Sequence, residues 1–60
     1  MNNDVTQQKR ELRALTETMI EIAIRGTQKS DNEPLILMYC LILDCAHRIR
    51  QTMAENFLEH

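Results

Sequence analysis

EPLILMYCLILDCAH, residues 33–47, is the stretch that decides the fold. From Leu35 to Leu43, nine consecutive residues carry neither a charge nor a side-chain amide. A helix on the surface of a globular protein shows one apolar stripe and a polar opposite face. A run that is apolar around its whole circumference must be covered on more than one side. The chain has 60 residues in all, so little is left to cover it. The run is also too short for a membrane span, which takes about 20 apolar residues.

Working outward, TQKSDNE at 27–33 is a cluster of turn formers, with Gly26 just before it and Pro34 just after. Gly is favoured where a helix ends in a left-handed cap, and Pro fits the first helical turn, where no amide hydrogen is needed. The expected elements are a helix over 9–26, a turn over 27–33 and a second helix over 34–57. Asn32 and Glu33 both remain open as the cap of the second helix. In the first, Leu12, Leu15, Met19 and Ile22 are spaced 3, 4, 3, which predicts an a/d packing seam. Ile20 and Ile24 widen the apolar arc. Arg10, Arg13, Glu17, Glu21 and Arg25 form the opposite, solvated stripe. In the second helix, Ile42, Ala46, Ile49, Met53 and Phe57 form an amphipathic continuation of the apolar run. Residues 1–8 read as a disordered tail, and Leu58-Glu59-His60 as the remnant of a vector-encoded tag.

Two helices joined by a short loop pack antiparallel. One neighbour covers one side of the second helix and leaves another stripe facing water, near Ile36, Cys40 and Leu43 or near Leu37 and Leu41. Each such side chain left exposed forgoes about 1.5–3 kcal/mol, against a total stability of about 5–15 kcal/mol for a whole domain. A second copy of the chain removes the difficulty, because a symmetric dimer buries the same patch twice. The expected architecture is therefore all-α: an antiparallel two-helix hairpin dimerising into a four-helix bundle, with Ile36, Leu37, Cys40, Leu41 and Leu43 at the interface. The rival occupant of that stripe is an unknown protein partner.

Composition removes several function classes. Two aromatics, Tyr39 and Phe57, and no Trp argue against base-stacking nucleic-acid modules. A net charge of -2 singles out no polyanionic or strongly acidic partner. There is no glycine-rich phosphate loop, no nucleophile–base spacing, and two helices enclose no pocket for a small-molecule substrate. No catalytic residue and no cofactor site is assigned. Cys40, Cys45 and His47 are the soft ligands nearest one another. Two zinc ligands on one helix sit three or four residues apart, and neither Cys40 with Cys45 nor Cys45 with His47 has that spacing, so no metal site is assigned either. A separation of five residues keeps Cys40 and Cys45 from bridging. With a polar N-terminus, the thiols point to a reducing, cytoplasmic setting. His47 reads as a boundary histidine with Asp44 in reach. For a hairpin centred near Ser30, residues whose numbers add to about 60 lie side by side. Lys9, Arg10, Arg13, Arg48 and Arg50 would then gather at the open end, as a contact surface for RNA phosphates or for a protein.

The segment Leu15-Thr16-Glu17-Thr18-Met19-Ile20-Glu21-Ile22-Ala23-Ile24-Arg25-Gly26, continued through Leu35, Tyr39, Cys40, Leu43 and Asp44, resembles the AriR/YmgB type of small enterobacterial regulators over roughly 30 residues. The resemblance implies a non-enzymatic connector that biases a signalling phosphorelay in biofilm formation or stress response. Asp44-Cys45-Ala46 through Phe57 is similar in apolar spacing to the second helix of the Rop family, which implies RNA binding. Ala14 stands near the place where that family's RNA face has an aromatic. The expectation ranked first is a small regulatory or adaptor protein that works by protein–protein interaction, with RNA binding ranked second.

Overall fold

A computed structural model describes residues 3–57 as two α-helices, α1 (Asn3–Lys29) and α2 (Glu33–Phe57), packed against each other as a hairpin. The tag expectation for 58–60 and the tail expectation for residues 1 and 2 lie outside the described residues. From residue 3 onward α1 takes in most of the segment read as a tail. Asp4 stands in its first turn, where a carboxylate complements the helix dipole, and no Gly or Pro interrupts it before Gly26.

Gly26 does not end the first helix. Its carbonyl accepts the Ser30 amide at 3.0 Å, and α1 continues to Lys29. The glycine serves packing instead: the ring of Tyr39 lies where a Cβ at position 26 would stand. The connection is thus only residues 30–32. Within it the Asn32 amide donates to Ser30 Oγ at 3.1 Å. Asn32 is the cap of α2. Its Oδ1 accepts the Leu35 amide at 3.2 Å, and its carbonyl accepts the Ile36 amide at 3.0 Å. Glu33 then adds a negative charge to the first turn, and Pro34 falls where an amide hydrogen would have no helical partner.

The longer α1 shifts the register of the hairpin. Thr16 meets Arg50, Lys9 meets Phe57 and Gly26 meets Tyr39, pairs whose numbers add to 65 or 66 rather than about 60. The seam itself also differs from the expected one. Leu12, Leu15 and Ile22 remain 40–51% exposed, and only Met19 of that set is half-buried. The fully covered residues of α1 are Thr16 and Ala23; in α2 Ala46 is fully covered and Met53 nearly so. Thr16 and Ala23 are seven apart, as are Tyr39, Ala46 and Met53, the spacing of a seam that stays between two slightly coiled helices. Small side chains at this seam let the backbones approach, and the bulkier aliphatic stripe is rotated to one side. The expected α2 stripe fares better: Ala46 and Met53 are buried, Ile42 and Ile49 half-buried, and Phe57 exposed.

Candidate interaction surface

The two flanks of the hairpin differ in chemistry, and the helical period places their residues. At about 100° per residue, the flank on the Arg50 side of the seam holds Arg13, Glu17, Ile20 and Ile24 from α1. From α2 it holds Ile36, Cys40, Leu43 and His47. Arg13 and Arg50 line one open hollow there with Met53 and Ala54. Arg50 Nε donates to Thr16 Oγ1 at 3.1 Å, and the Thr16 hydroxyl donates to the Arg13 carbonyl at 2.8 Å. Arg50 Nη2 also stands 3.8 Å from Glu17 Oε2. Thr16 is the one polar residue fully buried among the described residues, and its oxygen both gives and receives a hydrogen bond. The bond to the Arg13 carbonyl lies within α1 and is the same in every register, so what the Arg50 bond adds, about 0.5–1.5 kcal/mol, favours this register over its neighbours.

The opposite flank is apolar across both helices. Leu12, Leu15, Met19 and Ile22 supply it from α1, and Met38, Ile42, Cys45 and Ile49 from α2. Contacts tie the two sets together: Leu12 shares a hollow with Cys45, Ile49 and Phe57, and Ile22 shares another with Gly26, Leu35 and Tyr39. Leu15 is 51% exposed and Met38 57%. The charged side chains nearest this flank are Arg25 and Arg48, which border the two hollows from the outer faces of α1 and α2.

The five interface candidates divide over these surfaces. Ile36 and Leu43 are half-buried and Cys40 exposed on the Arg50 side; Leu41 (67% exposed) borders the apolar flank, and Leu37 (65%) faces away from α1. The α1 contribution to the apolar flank was read in the sequence as the seam within the hairpin.

The five cations are not brought to one patch. Arg13 and Arg50 share their hollow, and Lys9 Nζ stands 4.9 Å from the centroid of the Phe57 ring. Arg48 Nε pairs with Asp44 Oδ2 at 3.3 Å on the outer face of α2. This is also the aspartate read as a neighbour of His47. Arg10 is exposed near the open end. The register shift separates Lys9 from Arg48 by about nine residues of rise, some 13 Å along the axis.

No group of three or more His, Cys, Asp or Glu side chains able to hold a metal occurs among the described residues, and both cysteines are free and exposed. No helix among the described residues is long and apolar enough to cross a membrane. No protein-family model matches the chain, and no curated protein or solved structure is significantly similar to it.

Proposed function

We propose that this chain is a non-catalytic regulatory or adaptor protein that works as a homodimer, two hairpins forming a four-helix bundle. The observation that carries the reading is the mismatch between core and surface. Among the described residues only Ala23, Ala46 and Met53 form the buried apolar core, while ten large hydrophobic residues remain at least 40% exposed. An apolar core of two alanines and a methionine is too small to hold a domain together, and small scaffolds without disulfide or metal turn to a partner chain. Surface rather than cavity is what such a molecule offers to others. The connector role implied by the resemblance to small enterobacterial regulators is one form of this function: a rigid dimer whose outer faces bind a signalling protein.

Sedimentation velocity of the purified chain across a concentration series tests the assembly. A reversible dimer is expected, and a well-folded single copy at micromolar concentration would overturn it. For the adaptor role, a tagged chain in its host should retain a specific partner that is lost when Leu37 or Arg48 on the outer face of α2 is replaced by Glu. Robust turnover of hydrolase substrates by the purified chain would remove the non-catalytic reading.

A further inference from the structure

We infer that the seat of the second copy is the apolar flank built from both helices, centred on Leu15, Ile22, Met38 and Cys45, and not the Arg50 side. This rests on the dimer reading above and adds to it which surface closes. Three observations support it, the first for the pairing and the other two for the flank. The first is area. The chain exposes 5092 Å², whereas a compact monomer of its 7.1 kDa exposes about 4,100 Å². The excess of roughly 1,000 Å² is of the size that one partner buries in a standard stable interface, about 800 Å².

The second is charge. The opposite flank carries Arg13, Glu17, His47 and Arg50, and Arg50 is already committed to Thr16 and Glu17. A two-fold contact there would strip water from these ionisable side chains, a desolvation cost that the apolar flank does not carry at its centre. The third is exposed apolar surface. Leu12, Leu15, Ile22 and Met38 on this flank are 40–57% exposed and Leu41 at its border 67%, whereas on the Arg50 side Ile24 is the one large hydrophobic residue of comparable exposure among the described residues. A second hairpin laid on this flank would extend the existing core. The occupant that suits an apolar, two-helix face is another such face, and a copy of this chain supplies one.

The two free thiols report on the two sides. Cys45 lies on the apolar flank, Cys40 on the other, and both are exposed in the single hairpin. Pulsed alkylation of the full chain with iodoacetamide, read by mass spectrometry and referred to the denatured chain, measures each site. In samples that sediment as dimers, Cys45 loses its reactivity while Cys40 keeps it, and Cys45 recovers on dilution to single copies. A dimer that shields Cys40, or neither thiol, overturns the choice of flank and leaves the dimer standing. A single copy at every concentration overturns both. Cys45 open in the pure chain and shielded only in host lysate would give the flank to a different protein, which also overturns the proposal.

Discussion

At the scale of single residues, Gly26 and Thr16 carry the fit of the hairpin. In an exposed helix interior, replacing Gly by Ala stabilises by about 1 kcal/mol. At position 26 the new methyl would meet the Tyr39 ring, and overpacking costs about 1–3 kcal/mol. The overpacking term is the larger, so G26A should lower the urea midpoint. Combined with Tyr39→Ala, the same change should become stabilising relative to Y39A alone, and the double-mutant cycle exposes that reversal of sign. Thr16→Val keeps the shape and removes the hydroxyl. Arg50 is 43% exposed, so water takes over part of its bond, and the loss should be about 0.5–1.5 kcal/mol. Urea unfolding of T16V measures it, and no change would mean that the Arg50 bond contributes nothing to the register.

At the scale of elements, the second helix was the more legible of the two. Pro34, the turn formers before it and the 4, 3, 4, 4 spacing from Ile42 to Phe57 are strong local signals, and the structure follows them. Position 26 misled because a glycine near a turn has two uses, a left-handed cap or room for a neighbouring side chain. Only the partner residue, Tyr39, tells them apart. The seam of α1 misled for a related reason. Apolar periodicity weighs Leu and Ile above Ala and Thr, so it finds the bulkiest stripe, whereas close helix approach selects the smallest. The placement of Lys9, Arg10, Arg13, Arg48 and Arg50 inherited the first error through the register. The cap of α2 needed the structure to choose Asn32 over Glu33. Asn32→Ala should cost about 0.5–2 kcal/mol and appear as a lower midpoint in far-ultraviolet circular dichroism, while Glu33→Gln should change it by only a few tenths.

At the scale of the whole molecule, the proposed dimer would couple stability to assembly. A state that only the dimer supports has a midpoint that rises with protein concentration. The melting temperature should therefore climb steadily over a hundredfold concentration range, and a constant value would count against assembly as the source of stability. Leu15→Lys on the apolar flank should abolish that dependence, whereas Leu37→Lys, on the face turned away from α1, should preserve it. The core of two alanines and one methionine has a further consequence in the cell. On the proposed dimer, a chain that holds its shape only in company would be degraded when scarce and persist when abundant. Its active amount would then respond to synthesis more steeply than in proportion, so that a modest change in expression would act as a threshold.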